Sequence, residues 1–552
     1  MRMFRQHWPI MVLLMFTAVL YARSIGNGFV NLDDPLLVTE NSHVTTVSLQ
    51  NIGYVFTHFD PELYIPLTFL SYQAEAWTLG FGAWHFHFFN LLLHLGCITL
   101  VYAITLKLAK QKDIALLSSA LFALHPANAE TVLWISARKD LLCSFFSLAA
   151  WNAYLSYGQQ EKRSTLFAIF GLLLLALFSK VTAVIMPFVF LLSDGYLGVH
   201  YTTKKLKKLL PSFALALLFG IVAIVGKTHI LESESVSTLV LMAFRSTAFS
   251  LRMLLLPTGQ SVMHFVHDPI GLASPIFAFS LLLVTVLTLI AWEMRKRIPA
   301  IAFGWGFFLL TLTPTFLLYS HGIESLVLGS ERYLYLPSIG LFLIAASICH
   351  RLFRHAAISR PTRIVMGIGI VAILLCSAFL TEQRVNVFHN SITFNEDILK
   401  TEPHAARALY NLGLALEDAA RPYEAESRYR EALAANPAFA LPAINLGILT
   451  AKEGRTEEGI AMLLKATEID PTYFRGFFNL GITYQKLGRL DDAIAAYRKT
   501  IELFPDFPTP HQYLATVYGQ KKMYREALAE YKILMTLDPA FREKLSEIGV
   551  RE

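Results

Sequence analysis

Asn411-Leu412-Gly413 returns as Asn445-Leu446-Gly447 and again as Asn479-Leu480-Gly481, each time after 34 residues. A variant, Tyr513-Leu514-Ala515, follows at the same interval, and Pro403, Pro437, Pro471, Pro505 and Pro539 keep the same step. Between them Ala425, Ala493 and Ala527 recur, with Tyr429, Tyr497 and Tyr531 four residues on. Gly459 and Leu463 take those places in the second copy. A fixed period of this length marks stacked supersecondary units, because one unit cannot bury its apolar face alone. Glycine or alanine lets two helices approach, the ring fills the gap between them, and proline ends the second helix.

The pattern is that of a tetratricopeptide repeat, in four copies over 406–541, followed by a short capping segment, 542–552. Such solenoids present a concave groove made by the first helix of each pair. Asn411, Asn445 and Asn479 share one repeat position, so their amides can pair with any extended backbone through one donor and one acceptor. The alternative is that they bond between neighbouring repeats. Tyr410 and Phe478, on the same face, supply aromatic contact to such a peptide or fill core.

The rest of the chain is of another kind. Of 552 residues, 55% are hydrophobic and only 16% charged, against about 25% charged in an ordinary soluble domain. The long apolar runs lie in residues 1–380, which excludes a soluble globular fold for that part and leaves a polytopic membrane domain over 1–381. Residues 382–405 read as a linker and lead-in helix. Cys97, Cys143, Cys349 and Cys376 all sit in apolar runs, so neither a disulfide nor a metal site is expected. Tyr21-Ala22-Arg23-Ser24 is a poor cleavage signal, and the first segment reads as an uncleaved anchor.

Eleven spans are expected near 9–23, 86–106, 113–125, 141–157, 164–178, 181–194, 209–226, 275–292, 299–319, 333–350 and 362–380. If they alternate, every basic cluster falls on one side: Arg2/Arg5, Lys107/Lys110/Lys112, Lys162/Arg163, Lys204/Lys205/Lys207/Lys208, Arg295/Lys296/Arg297 and Arg351/Arg354/Arg360/Arg363. That side is cytoplasmic by the positive-inside rule, with the N-terminus, and the repeats are then outside. The segment 238–257 must dip in and return, or lie in the interface, and its Arg245 and Arg252 suit a cavity.

A second set of polar residues converges on the opposite face: Asp33/Asp34, Asp60/Glu62, His125/Glu130, Arg138/Lys139/Asp140, Lys180, His264/His267/Asp268 and Glu331/Arg332. Charges at span ends away from basic loops are expensive and often functional. Two adjacent carboxylates repel, so a pair such as Asp33/Asp34 binds something or shifts a pKa. The histidines 264 and 267 with Asp268 read as a wet loop rather than a metal cluster. His87 and His94, seven apart on one helical face, read equally as packing or as chemistry.

Several of these segments resemble the transmembrane and tetratricopeptide-repeat protein O-mannosyltransferases (the TMTC family) and their bacterial relatives, multi-span glycosyltransferases of the C superfamily. They are Phe29-Val30-Asn31-Leu32-Asp33-Asp34, Tyr64-Ile65-Pro66-Leu67-Thr68, His87 through His94, Leu124-His125-Pro126 through Glu130, Arg138-Lys139-Asp140-Leu141-Leu142, Ser179-Lys180 and Glu331-Arg332-Tyr333-Leu334-Tyr335-Leu336-Pro337. The resemblance runs over nearly the whole chain. It implies a donor sugar, mannose by the family's name, on a polyprenyl phosphate, and an acidic residue of the first external loop at the reaction centre. Some members carry an acid directly after the lysine matching Lys180, where this chain has Val181.

On that reading Asp33, ahead of Asp34, is the general base for a Ser or Thr hydroxyl, and the other carboxylate orients the acceptor or binds a divalent cation. Arg138, Lys139 and Arg332, with Lys180 and Arg245 behind them, hold the leaving phosphate. His125, Glu130, Asp140, Glu331 and Tyr333 orient the sugar or the loops. Arg138–Asp140 and Glu331–Arg332 read alternatively as ion pairs that hold loops together. Direct displacement inverts the anomeric centre. No further cofactor and no nucleic acid is implied, and the acceptor is an extracytoplasmic polypeptide bound in the repeat groove. The rival readings are a non-enzymatic scaffold for envelope or secretion assembly and a transferase acting on glycan or lipid. Four repeats and the lack of an Asn-x-Ser/Thr sequon favour a bacterial inner membrane, with the repeats periplasmic.

Overall fold

A computed structural model describes residues 2–46, 48–60, 63–160, 162–200, 202–226, 235–318 and 327–538. Glu62, Pro539 and the 542–552 cap lie outside these residues, as do the side chains of Arg2, Arg5 and Lys204. The chain divides into two compact units, Met1–Glu402 and Pro403–Glu552. Among the described residues regular structure is helical, apart from one two-stranded antiparallel pair, His264–Phe265 with Val327–Gly329, which the sequence reading lacked.

Hydrocarbon offers the backbone no hydrogen bonds, so apolar runs must close their own as helices. Seven described helices are long and apolar enough to cross a membrane. Six match expected spans: Trp8–Gly26, Ala83–Ala109, Lys205–Gly226, Pro275–Met294, Pro299–Phe316 and Arg360–Val387. The other five expected spans are helices as well, Lys112–Leu124, Arg138–Gln160, Arg163–Ser179, Met186–Tyr196 and Ser338–Arg354. The last starts later than the expected 333, because Glu331–Leu334 forms a 3-10 turn and Pro337 caps the helix.

The seventh helix, Val236–Leu255, corrects the expected dip: it is one unbroken helix that does not return on itself. His125 Nε2 meets the Leu254 carbonyl at 3.1 Å, which ties its C-terminal end to the polar loops. The preceding helix ends at Gly226, against the ring of Phe59 in the first loop.

The basic turns gather at the other end of the bundle. Lys107 Nζ binds the Asn152 side chain at 2.6 Å and Ser156 Oγ at 2.6 Å. Lys205 pairs with Asp194 at 2.8 Å, Tyr154 donates to the same carboxylate at 2.6 Å, and His350 pairs with Asp113. Tyr196 packs on Phe303, near the start of the Pro299–Leu312 helix. That helix crosses Ser338–Arg354 where Gly304 and Gly340 face each other: a Cβ on either would come within 2.3 Å of the other's carbonyl oxygen. Small residues let membrane helices touch backbone to backbone.

Residues 382–405 are not a free linker. Arg360–Val387 runs through the expected boundary, and Ser391–Thr401 packs back on the first unit. Arg384 pairs with Asp397 at 2.5 Å, Asn395 Nδ2 donates to Asn31 Oδ1 at 2.8 Å, and Glu402 accepts from Phe265 N at 3.3 Å.

The second unit is four helix pairs, from Ala406–Asp418 with Pro422–Ala435 to Pro508–Gln520 with Tyr524–Leu537. A Cβ on Gly413 or Gly481 would stand 2.4 Å from the ring of Tyr429 or Tyr497, and one on Gly447 2.7 Å from Leu463 Cγ. The glycine-and-plug reading of the repeat therefore holds in all three copies.

Candidate functional site

The first loop bends back on the segment before the Arg138–Gln160 helix, and Asp34 is the reason. Its Oδ2 accepts from Val30 N at 2.9 Å; its Oδ1 accepts from Ser136 N at 3.0 Å and from the Ser136 hydroxyl. Asp34 is 1% exposed, and burial pushes its carboxyl up to about 6 against those donors. Asp33 points elsewhere. Its side chain is 35% exposed and stands 3.4 Å from Lys139 Nζ. The two adjacent acids therefore do different things: Asp34 fastens the loop and Asp33 faces the opening.

Arg138, Lys139 and Asp140 start one helix, and successive positions on a helix point in different directions. Arg138 turns inward. It pairs with Glu75, donates through Nε to Asn90 Oδ1 at 2.8 Å and through Nη2 to the Phe86 carbonyl at 2.6 Å, and lies over the Tyr72 ring. It is 1% exposed with its donors committed, which corrects its expected role: it binds the first loop, not a phosphate. Glu75 also meets His85 at 3.3 Å. Glu75 went unnoticed in the sequence, although a carboxylate between Tyr72 and Trp77 in an apolar stretch is a signal in itself.

Lys139 turns toward Asp33, and Asp140 toward Lys180, whose Nζ lies 2.6 Å from Oδ1. Arg332 joins them from the Glu331–Leu334 turn. Its Nη1 meets Glu130 Oε1 at 3.0 Å, and its guanidinium lies over Trp134 at 4.7 Å and Tyr333 at 5.2 Å. The Trp134 ring also faces Lys139, and the Tyr333 ring faces Lys180. Glu130 is wholly buried and accepts from Ser330 Oγ at 2.6 Å; burial raises its carboxyl while Arg332 opposes the rise. Lys180 and Arg332 thus line one pocket with Asp140, Cys143, Thr311 and Tyr333, and Lys139, paired with Asp33, stands within electrostatic reach of both cations.

The remaining expected residues stand apart. Glu331 faces away from Arg332 and accepts from Ser261 N at 2.9 Å, with His264 at 3.8 Å. His125 bonds backbone on both ring nitrogens, Leu254 O and Ala127 N, and so fixes loops rather than sugar. Arg245 has Asp268 and Arg252 as its charged neighbours, outside the cation cluster. His267 pairs with Glu402 at 2.9 Å, and among the described residues no group of three His, Cys, Asp or Glu is placed to hold a metal ion. His87 reaches the Gly28 carbonyl at 3.3 Å and His94 the Tyr335 hydroxyl at 2.7 Å, both outside the cation cluster.

In the repeats, the three amides are not presented alike. Asn411 is buried. Asn445 donates to the hydroxyls of Tyr410 at 3.4 Å and Tyr429 at 3.5 Å, joining the second repeat to the first, and Asn479 donates to the Arg475 carbonyl of its own helix. Phe478 is half-buried among Phe507, Tyr513 and Tyr497.

The family model for the tetratricopeptide repeat matches residues 406–439 and 474–507, the first and third copies. The chain is similar to protein O-mannosyl-transferase TMTC1 of Homo sapiens, 28% identical over 144 residues, covering 24% of this chain and 16% of that protein. It is 33% identical to TMTC1 of Mus musculus over 92 residues, 16% of this chain and 10% of that one. The protein O-mannosyl-transferase F38B6.6 of Caenorhabditis elegans matches over 447 residues at 24% identity, 75% of this chain and 59% of its own length. The chain thus spans less than two thirds of each of these relatives. It is a TMTC-like protein, with membrane helices followed by tetratricopeptide repeats.

Proposed function

We propose that this TMTC-like chain is a membrane glycosyltransferase that moves a sugar, mannose in the first instance, from a polyprenyl phosphate to Ser or Thr hydroxyls of a polypeptide. The observation that carries the reading is the exposed Asp33 beside three converging cations, Lys139, Lys180 and Arg332. Each cation already has a carboxylate partner, yet Arg332 Nε is unbonded and the cations stand close enough to act on one phosphate together.

Asp33 takes the proton of the acceptor hydroxyl as its oxygen attacks the anomeric carbon. The bond from that carbon to the phosphate oxygen breaks, and the polyprenyl phosphate leaves with the electron pair. Lys139 and Arg332 stabilise the negative charge that gathers on it. Attack opposite the leaving group inverts the centre, and no covalent sugar–protein intermediate is needed. Asp34 acts through its grip on Ser136, which holds Asp33 at the opening. Basic turns at the far end of the bundle support a cytoplasmic side there and an extracytoplasmic site, with a bacterial inner membrane as the proposed location. The repeats, as binding modules, are the proposed holder of the acceptor chain.

The test is transfer from labelled polyprenyl-phosphate mannose to a panel of Ser/Thr peptides by the purified full chain in liposomes. Wild type labels peptides with inverted configuration, and Asp33→Asn does not. A wild-type protein that labels no peptide while binding the donor refutes the assignment.

A further inference from the structure

Asp33 lies between two fixed points. On one side is Asp34, held by Val30 N and Ser136. On the other, the loop is tied to the last part of the first unit, the segment 385–395. Asn27 Nδ2 donates to the Val385 carbonyl at 3.1 Å, and Gly28 N to the His389 carbonyl at 2.9 Å. Asn31 is held twice: its N donates to Ser391 Oγ at 3.0 Å, and its Oδ1 accepts from Asn395 Nδ2 at 2.8 Å. An irregular loop has no hydrogen-bond ladder of its own, so bonds such as these decide where it lies.

The neighbouring residue of the same helix reaches the cations. Phe394, wholly buried, packs its ring against Trp134, with 6.2 Å between centroids. Over that Trp134 ring lie the Arg332 guanidinium at 4.7 Å and Lys139 Nζ at 5.9 Å. Successive positions on a helix point in different directions, so one rigid helix addresses loop and cations separately. The helix is itself firmly set: Asn390 caps it by accepting from Ile392 N and Thr393 N, and Asp397 pairs with Arg384. It ends at Thr401, just before the repeat unit begins at Pro403.

We infer that the Ser391–Thr401 helix is a positioning element of the reaction centre, with Asn395 and Ser391 setting the loop that presents Asp33, and Phe394 setting the ring against Lys139 and Arg332. This rests on the reaction proposed above and extends it to the segment of chain that leads into the repeats. Asn395 and Ser391 act through Asn31, and Phe394 acts through Trp134.

The experiment is steady-state transfer of mannose from its polyprenyl phosphate to peptide by the full chain in liposomes, with affinity for the donor measured on the same preparations. Asn395→Ala lowers kcat by roughly ten- to a hundredfold, as for a catalytic group misplaced by about 1 Å, and leaves donor affinity within about twofold. Phe394→Leu instead weakens donor binding severalfold. Asn31→Ala added to Asn395→Ala lowers kcat little further, since one contact is not lost twice. Ser391→Ala removes a single hydroxyl at a half-buried position, so it keeps the test open if Asn395→Ala fails to fold. It lowers kcat severalfold, and Ser391→Thr, which keeps the hydroxyl, retains the wild-type rate. The inference is overturned if Asn395→Ala and Ser391→Ala keep the wild-type kcat, or if they lower kcat and donor affinity in proportion, as a merely loosened fold would. It is overturned equally if the Asn31 and Asn395 losses multiply, or if Phe394→Leu binds donor as wild type does. A wild type that transfers nothing removes the reaction and the inference together. One that transfers while Asn395→Ala and Ser391→Ala keep pace removes the inference alone.

Discussion

Arg138 and Arg332 are built from the same parts and end in opposite states. Each meets a glutamate, Glu75 or Glu130, and each lies against two aromatic rings. Around Arg138 the set is closed: Asn90 and the Phe86 carbonyl take the remaining donors, and its side chain is 1% exposed. Around Arg332 it is open: the side chain is 16% exposed, Nε is unbonded, and beyond Glu130 the carboxylates Asp33 and Asp140 act on it across the opening. A buried arginine with an acceptor on each of its three nitrogens holds structure. One with an unbonded nitrogen at an opening keeps a donor for a ligand. The same contrast separates Asp34, with three donors on its carboxylate, from Asp33 at the opening.

The largest expected effects fall on the open set. Asp33→Asn lowers transfer by about 10³–10⁴-fold, in the upper range for loss of a general base, while the protein still inserts and still binds donor. Asp34→Asn, by contrast, leaves transfer measurable. Equal losses for the two acids in the labelled-peptide assay would erase the difference drawn between them.

Arg138→Ala strands Glu75 in the interior and costs about 3–5 kcal/mol of stability, the usual result of removing one partner of a buried pair. Detergent-solubilised protein should then show early thermal unfolding or fail to accumulate. Arg332→Gln does the reverse: the glutamine amide still donates to the buried Glu130, so melting falls less than for Arg138→Ala, while transfer falls by about 10²–10³-fold, as for one lost electrostatic contact in a transition state. Swapped outcomes would mean that the closed and open assignments are exchanged.

This contrast was only partly legible in the sequence. The repeat declares itself through a period, and the spans through apolar runs, since both are properties of many residues read together. Arg138-Lys139-Asp140 is the opposite case. Three neighbours at a helix start face the first loop, Asp33 and Lys180, and their partners stand 63, 106 and 40 residues away along the chain. No local signal says which of the three turns inward. The aromatic Trp134 just before them was the available hint, since its ring carries both Lys139 and Arg332. Of the two readings of 238–257, the returning dip fails because the segment is one unbroken helix, Val236–Leu255, long and apolar enough to cross a membrane.

A pH profile sharpens the Asp33/Asp34 contrast at smaller amplitude. The buried Asp34 carboxyl lies at about 6, against 3.8 for a free one. A carboxyl raised in the fold takes up protons more readily there than in the unfolded chain. Its contribution is therefore fully present below about pH 4 and is lost as the pH rises through about 6. Thermal unfolding of the full chain should show that slope, and Asp34→Asn should flatten it. An unchanged slope in the variant would assign it to another group.

The smallest effect lies in the repeats, where one position tests the backbone by itself. Ala420, Gly454, Gly488 and Lys522 are 34 residues apart, each just past the first helix of its pair, with φ of +56°, +88°, +75° and +61°. That left-handed turn closes the first helix against its own carbonyls, as when Arg421 N donates to Leu416 O. Glycine enters it without strain, whereas a residue with a Cβ is strained there by about 1–2 kcal/mol, partly offset by glycine's freedom in the unfolded chain. Ala420→Gly and Lys522→Gly should each stabilise their helix pair by about 0.5–1 kcal/mol, and Gly454→Ala and Gly488→Ala should destabilise theirs by as much. Amide exchange in the full chain reads this as slowing or quickening by roughly two- to fivefold in the affected pair. A Cβ at Gly454 or Gly488 would meet no neighbour within 4 Å, so a response of the same sign from all four substitutions would show that something other than the turn is being measured.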